Sequence, residues 1–295
     1  MIRAALSLLA SPFWFGLVLA AGAVAADDGP ADAPPGAPPS RVITLAPHLA
    51  ELVYAAGGGE RLAGVTSYTD YPPEAAALPR IGDAFRVDLE RIAVIDPDLI
   101  LAWAEGTPQA LVARLRELGY PLLVIRTGGV ADIAAAIRRI GERLDTAAAA
   151  DRAAREFLLQ LEAAVAGHAE ARPLRVFYQV ASRPLYTVNG SHFISELIRR
   201  CGGRNVFADL GELAPVVTVE SVLSRNPEVI LAPGAGPGVL ERWQAWDSVT
   251  AVRAGNLLTV PADTLARPSP RLVAGARDIC AALESARGRL PAAGR

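Results

Sequence analysis

One sequence pattern occurs twice in this chain, and it limits the possible folds more than any other feature. Its copies are Val87–Ala102 and Val217–Ala232. In both, a glutamate (Glu90 or Glu220) is followed at the same spacing by a proline, then by an acidic residue and a run of aliphatic side chains. This order predicts a short helix that begins near the glutamate, a turn at the Asp-Pro or Asn-Pro pair, and a buried parallel strand.

A second pair of segments supports an internal duplication. Residues 48–58 and 192–203 each begin with histidine, contain a glutamate and end in two glycines. This arrangement predicts a helix that is closed by glycine at its C-terminus. Two copies are too few for a solenoid, which needs about three repeats or more. We therefore expect two similar lobes.

Strands and helices are predicted to alternate in both lobes. The predicted strands are 41–45, 62–67, 99–103, 122–125, 174–180, 229–232 and 256–260. Besides the helices that begin near Glu90 and Glu220, the predicted helices include 49–56, 108–118, 130–143, 237–246 and 270–286. Such alternation indicates parallel, doubly wound sheets. The expected fold class is α/β, with two Rossmann-like lobes that each contain a parallel central sheet.

A long helix is predicted between the lobes. Residues 146–170 are rich in alanine, arginine, glutamate and leucine, and their apolar positions recur at helical spacing. Because such a helix is longer than one lobe requires, we expect one long rigid helix that joins the two. The expected limits are 41–144 for the N-terminal lobe, 145–171 for the joining helix and 172–290 for the C-terminal lobe.

The N-terminal residues have the pattern of a secretion signal. Arg3 is followed by an apolar stretch and then by small residues at Ala23–Ala25, so residues 1–25 are predicted to be a cleaved signal peptide. An uncleaved membrane anchor is the alternative. Residues 26–40, rich in Pro, Ala, Gly and Asp, are expected to be a disordered linker. The mature chain is expected in the periplasm of a double-membraned bacterium.

The two cysteines of the chain are Cys201 and Cys280. In an oxidising compartment, a pair with no third cysteine predicts one disulfide bond, here within the C-terminal lobe. Two buried free thiols are the alternative.

Residue patterns typical of catalysis are absent from the sequence. It contains no Gly-x-Ser-x-Gly, no phosphate-binding Gly-x-x-x-x-Gly-Lys and no His-Glu-x-x-His, so we expect that the protein is not an enzyme. Of its three histidines, only His48 and His192 begin equivalent helices and could face each other. Because transition-metal sites usually need several converging imidazoles or thiolates, neither a metal site nor a cofactor is predicted. A net charge of −2 gives no reason to expect a nucleic-acid partner.

The predicted binding site lies at the carboxyl ends of the strands, where open α/β sheets bind ligands. Aromatic residues dominate this edge in the first lobe, and charged residues are added in the second. The candidates are His48, Tyr68, Phe85, Trp103, Tyr186, Asp263 and Arg267. An aromatic wall opposite a mixed wall suits a large, flat, partly polar ligand. Core packing is the alternative for each aromatic residue.

Six segments together resemble a known family. They are 41–47, 66–73, 89–92, 97–103, 201–207 and 263–271. From Arg41 to about Leu283 the chain resembles the periplasmic cobalamin-binding proteins of ABC importers, within the wider group for iron siderophores, haem and cobalamin. Both cysteines fall where that family has its disulfide bond.

The resemblance implies a non-enzymatic, monomeric carrier that captures cobalamin or a related corrinoid between its lobes as a transported ligand. It implies that Tyr68 and Trp103 contact the corrinoid from one lobe, and Asp263 and Arg267 from the other. The carrier would deliver the corrinoid to the membrane permease of an ABC importer. Glu90 and Glu220 match two acids that dock onto arginines of that permease, and the alternative is that each only stabilises a helix dipole.

Two positions differ from the family pattern. A tryptophan of the second lobe's cleft is replaced near Ala214, and the aromatic residue expected near position 84 is either absent at Ala84 or supplied by Phe85. Fewer stacking surfaces leave open a different corrinoid, haem or a ferric siderophore as the ligand. His48 has no counterpart in the family pattern, and the sequence does not decide whether it touches the metal of a ligand.

Overall fold

The computed structural model describes residues 37–83, 86–168, 170–234 and 237–291. The predicted signal peptide, most of the predicted linker and Phe85 lie outside these ranges. Within them, no helix is long and apolar enough to cross a membrane.

The first half of the chain forms a four-stranded parallel sheet. Its strands are β1 (Val42–Thr44), β2 (Leu62–Val65), β3 (Leu99–Trp103) and β4 (Leu122–Ile125), in the order β2-β1-β3-β4. The helices are α1 (Pro47–Ala55), α2 (Pro73–Ala76), α3 (Leu89–Ile95), α4 (Gln109–Glu117) and α5 (Val130–Arg143), with a 3-10 turn at Gly59–Arg61. The central strands are short aliphatic runs because helices cover both faces of the sheet.

The next helix, α6 (Ala147–Val165), leads from the first sheet to the second. Its 19 residues span roughly 28 Å. It ends before the predicted limit of residue 171, and Gly167 follows it with a φ of +80°, a backbone conformation that favours glycine and does not continue a helix.

The second half forms another four-stranded parallel sheet and a small hairpin. Its strands are β5 (Leu174–Tyr178), β6 (Ala181–Ser182), β7 (Leu185–Tyr186), β8 (Gly203–Asn205), β9 (Val229–Pro233) and β10 (Leu257–Val260). The main sheet has the order β10-β9-β5-β8, and β6 and β7 pair as an antiparallel hairpin. The helices are α7 (Phe193–Arg200), α8 (Val219–Arg225), α9 (Thr250–Arg253), α10 (Ala262–Leu265) and α11 (Leu272–Arg289).

The two main sheets have the same connectivity. If β5 takes the place of β1, the order β8-β5-β9-β10 repeats the order β2-β1-β3-β4. The pairing register is also equivalent, since Val42 lies opposite Leu99 and Val176 lies opposite Val229. The structure therefore contains two α/β units, as the sequence duplication predicts.

The repeated pattern forms α3–β3 in one lobe and α8–β9 in the other. Each helix begins with a side-chain cap: Asp88 accepts from the backbone N–H of Arg91, and Thr218 accepts from that of Ser221. Each ends at a left-handed residue directly before the proline, Asp96 with φ 49° or Asn226 with φ 41°. Asp and Asn tolerate this conformation better than other non-glycine residues. The predicted helix–turn–strand order is observed in both copies.

One apolar core joins the two lobes. A continuous cluster of buried side chains runs from β1 and β3 through α1, α5, α6 and α11 to β5 and β9. Helix α6 packs against α5 of the first lobe and α11 of the second. The fold class is as predicted: two Rossmann-like lobes joined by a long helix. A shared core opposes hinge bending, because opening the lobes would expose apolar surface.

Two local features complete the second lobe. Cys201 at the end of α7 and Cys280 in α11 form the predicted disulfide bond, with Cα atoms 4.7 Å apart. The predicted helix 237–246 is instead two 3-10 turns, Pro237–Val239 and Glu241–Ala245. The segment is short and begins with proline and glycine, which are poor formers of a helix interior. Trp243 in the second turn is fully buried against Phe177, as expected of a core residue.

Candidate ligand-binding site

Trp103, one of the aromatic residues of the predicted site, is the last residue of β3. Its indole Nε1 donates to the hydroxyl of Thr127 at 2.9 Å, and its backbone N–H donates to the hydroxyl of Thr107 at 2.9 Å. A Cβ atom at Gly106 would lie 2.1 Å from Cε3 of the indole, so only glycine leaves space for the ring there. The half-buried indole is therefore held in one orientation at the carboxyl end of the strand.

His48 lies beside this indole, in the first turn of α1. The two rings meet edge to face, with centroids 4.8 Å apart and planes at 78°. The imidazole is only 3% exposed, and its Nε2 has no hydrogen-bond partner among the described residues. Burial, helped by the positive charge of Arg267, lowers the pKa of His48 to about 3. The ring is therefore neutral at physiological pH.

Arg267, from the segment after α10, crosses to the first lobe. Its guanidinium donates to the backbone oxygen of Tyr68 at 2.8 Å, to Oδ2 of Asp70 at 2.9 Å and to Oε1 of Glu51 at 3.3 Å. The hydrogen bond from Arg267 holds the pKa of Asp70 below its usual value. The guanidinium thus joins the loop after β2, helix α1 and the segment before α11.

Glu51 of α1 is the buried centre of these interlobe contacts. Its side chain is 2% exposed, yet it carries a carboxylate. Besides Arg267, it accepts a hydrogen bond from the hydroxyl of Ser269 at 2.6 Å and lies 3.6 Å from the guanidinium of Arg271. Buried carboxylates persist when they are paired and hydrogen-bonded, and here every partner comes from the other lobe.

Glu196 of α7 makes the equivalent interlobe contact, from the second lobe to the first. Its Oε2 accepts from the backbone N–H of Val130, at the start of α5, at 3.1 Å. Its Oε1 pairs with Arg200 at 2.7 Å. Glu51 and Glu196 belong to the second duplicated segment, and each reaches the start of the last helix of the other lobe. Pseudo-symmetric contacts therefore fasten the two lobes from both sides.

Contacts in the structure connect four of the predicted site residues. Trp103 touches His48, His48 lies within the electrostatic reach of Arg267, and Arg267 binds the carbonyl of Tyr68. The side chain of Tyr68 is 80% exposed, on a left-handed backbone with φ 65°. In the second lobe, half-buried Tyr186 lies on β7 and exposed Asp263 lies in the first turn of α10.

Sequence reasoning missed several residues that shape this site. They are Glu51, Asp70, Thr127 and Ser269, and each was an ordinary polar residue in the sequence. The available signals were weak: Glu51 had a counterpart in the duplicated segment, and Asp70 and Ser269 stood inside segments that carry the family resemblance. Their partners lie at large sequence separations, and no local pattern encodes such contacts.

Glu90 and Glu220 are exposed residues in the first turns of α3 and α8. The backbone N–H of Glu220 itself and the hydroxyl of Thr218 lower the pKa of Glu220. This carboxylate is therefore ionised at neutral pH and available to a partner.

Metal ligands do not converge in the part of the chain that the structure describes. No three His, Cys, Asp or Glu side chains of those residues are arranged to hold a metal ion. His48 and His192 belong to different local clusters: His48 contacts Trp103, whereas His192 stacks on Phe193 and caps α7 by accepting from the N–H of Ile194 at 3.2 Å.

Two α/β lobes, a joining helix and a set of aromatic and charged residues at their carboxyl edges define a two-lobed ligand-binding protein. The chain belongs to the periplasmic binding protein family, whose pattern matches residues 42–264. It is 35% identical over 249 residues to the vitamin B12-binding protein of Vibrio parahaemolyticus, an alignment that covers 84% of this chain and 90% of the relative.

Solved structures show the same similarity. The periplasmic vitamin B12-binding protein BtuF of Vibrio cholerae superimposes with a TM-score of 0.77 at 34% identity, over 85% of this chain and 98% of the other. The periplasmic haem-binding protein BhuT, in complex with two haems, gives a TM-score of 0.73 at 25% identity, over 83% and 98% of the two chains.

Proposed function

We propose that this protein is a periplasmic carrier that captures cobalamin, or a related corrinoid, between its two lobes and delivers it to an ABC importer. The observation that carries the proposal is the near full-length similarity to a vitamin B12-binding protein. The carrier would hold the corrinoid as cargo and would catalyse no reaction. In this proposal the two lobes that enclose the ligand are residues 41–144 and 172–290.

The site supports a large and largely preformed surface for such a ligand. Trp103 presents an indole whose orientation is held by Thr127 and His48, so little side-chain entropy is lost when a corrin ring packs on it. Tyr68 offers an exposed ring on the same lobe, and Tyr186 faces the site from the other lobe in this proposal. Asp263, which is exposed, would accept hydrogen bonds from the amide side chains of a corrinoid.

In this proposal Arg267 also has a structural role, in addition to direct contact with the ligand. Its guanidinium already binds Glu51, Asp70 and the carbonyl of Tyr68. It would therefore hold the Tyr68 loop and its own segment at a set separation. This spacing, together with the shared apolar core, favours a cleft that closes only slightly on binding.

Binding is tested by isothermal titration of the mature protein with cyanocobalamin. We expect a saturable 1:1 complex at micromolar concentrations or below. Trp103→Leu should weaken it at least about tenfold, because stacking on a tryptophan contributes roughly 1–3 kcal/mol, as for stacked nucleobases. Absence of heat and of a stable complex for the unaltered protein would overturn the proposal.

Delivery would use Glu90 and Glu220 as docking residues. They are exposed, they occupy equivalent positions in the two lobes, and a pseudo-symmetric carrier needs one contact per lobe on a two-fold permease. The double variant Glu90→Ala/Glu220→Ala should retain the affinity for cyanocobalamin but lose transport in cells.

The matched control for docking removes two other exposed acids, Glu60→Ala/Glu156→Ala, with the same change in net charge. We expect transport by this control to remain normal. If the Glu90/Glu220 variant loses ligand binding, or if the control loses transport equally, the docking assignment is wrong.

Haem is the second candidate ligand. The similarity to BhuT supports it, and Ala214 removes a stacking surface expected of a corrinoid site. The vitamin B12-binding relative is more similar in sequence, at 35% against 25% identity, so a corrinoid is favoured. The visible absorption spectrum of protein purified from its native host distinguishes the two, because corrinoid and haem bands differ.

A further inference from the structure

A cavity lies in the C-terminal lobe, apart from the cluster around Arg267 and Glu51. It measures about 300 Å³ and lies between the β6–β7 hairpin and the 3-10 turns that follow β9. The described residues that line it are Ser182, Arg183, Gly238, Val239 and Arg242. Ligand pockets usually measure about 300–1,000 Å³, so this cavity is at the small end of that range and has room for one substituent of a larger ligand.

The walls of the cavity are held by Gln179, which is only 1% exposed. Its Nε2 donates to the hydroxyl of Ser182 and to the carbonyl of Val239, both at 3.1 Å. Its Oε1 accepts from the indole Nε1 of Trp243 at 2.7 Å. One buried amide thus joins the hairpin to the turns, and the cavity keeps its shape without a ligand.

The charged side chains among the described lining residues of this cavity are all positive. Arg183 and Arg242 carry positive charge, and no described lining residue is acidic. Neither arginine forms an ion pair among the described residues, whereas Arg267 and Arg271 are paired with Glu51. Arg242 is already oriented, since it donates to the carbonyl of Ser182 at 3.1 Å and lies 5.6 Å over the ring of Trp243. Its other N–H groups remain for an anion.

We propose that this cavity is a subsite for a phosphodiester, and that it binds the nucleotide-loop phosphate of a corrinoid. The proposal rests on the proposed function. Guanidinium groups form short, charge-assisted and often bidentate hydrogen bonds with phosphate oxygens. Tyr186, which would contact the corrin ring, lies on the same hairpin as Arg183, so the cavity adjoins the proposed corrin-binding surface.

Two ligands separate this subsite from the rest of the site. Cyanocobalamin carries the nucleotide loop with its phosphodiester, whereas dicyanocobinamide has the corrin ring but lacks that loop. The variant Arg183→Gln/Arg242→Gln should bind cyanocobalamin at least about tenfold more weakly than the unaltered protein and bind dicyanocobinamide with unchanged affinity. Raising the salt concentration should weaken cyanocobalamin binding to the unaltered protein more than to the variant.

Arg199→Gln/Arg204→Gln is the matched control with the same change in net charge, because both are exposed arginines of the same lobe, on α7 and β8. It should leave both affinities unchanged. Equal affinity of the double variant and the unaltered protein for cyanocobalamin would overturn the subsite, as would an equal loss for both ligands. Failure of the unaltered protein to bind either ligand would instead overturn the proposed function.

Discussion

The buried carboxylate of Glu51 gives the sharpest test of how the two lobes are held together. Glu51→Gln keeps the size and shape of the side chain and removes its charge. The amide oxygen can still accept from Ser269, but the charge-assisted contacts to Arg267 and Arg271 are lost. The change therefore isolates the electrostatic part of the interlobe contact.

The expected loss follows from the burial and the remaining partners. Breaking a buried ion pair costs about 3–5 kcal/mol when the other charge is left alone. Here Arg267 keeps Asp70 and the carbonyl of Tyr68, so the loss should be smaller, about 2–3 kcal/mol. For a protein of this size, that corresponds to a decrease in Tm of about 5–10 °C.

Urea unfolding of the two proteins measures this difference as a change in the free energy of unfolding. Glu117→Gln is the matched control, because Glu117 pairs with Arg114 on the surface, with its side chain 66% exposed. It should change stability by no more than about 0.5 kcal/mol. If Glu51→Gln also stays within about 0.5 kcal/mol of the unaltered protein, the reasoning about the interlobe cluster is refuted.

Three further predictions follow from local geometry. Gly106→Ala should destabilise the protein by about 1–3 kcal/mol and shift its tryptophan emission, since the new Cβ would lie 2.1 Å from the indole of Trp103; an unchanged spectrum would contradict this. The double variant Cys201→Ala/Cys280→Ala should lose about 4–5 kcal/mol in urea unfolding, because the bond closes a loop with a sequence separation of 79, and a loss under about 1 kcal/mol would count against that entropic argument. Burial lowers the pKa of His48 from 6.5 to about 3. Between pH 6.5 and pH 3 the imidazole therefore binds a proton in the unfolded state but not in the folded state. The stability of the protein thus falls as the pH drops below about 6.5. The difference in unfolding free energy between the unaltered protein and His48→Gln should change by up to about 1.4 kcal/mol per pH unit from pH 6.5 to 5, and parallel pH profiles would refute it.

Much of the fold was accessible from local patterns. Strands β3 and β4 and helix α5 lie where the alternation of aliphatic runs and helical periodicity predicts them, since each depends on the burial of a short contiguous segment. The turn residues Asp96 and Asn226 also mark local geometry. The segment 237–246 did not form the predicted helix, because the burial of Trp243 against the second sheet overrides the weak helical pattern of a short segment.

The candidate site was accessible only in part. Strand ends and the family resemblance together predicted Tyr68, Trp103 and Arg267, and the structure brings the first and last of these into contact. The interlobe role of Arg267 was not predictable, because its partners Glu51 and Asp70 are about 200 residues away in sequence. The cavity at Arg183 and Arg242 was not predictable either, because its walls come from separate loops.

From the sequence alone, periodicity and spacing predicted two related α/β units with one long helix between them, and the cysteine count predicted one disulfide bond within the second unit. These properties follow from periodicity, spacing and composition, which are local. Which charges pair across the lobes depends instead on the packed structure. Burial removes Glu51 from water and makes its pairing with Arg267 obligatory, and that burial depends on how both lobes pack around one shared core.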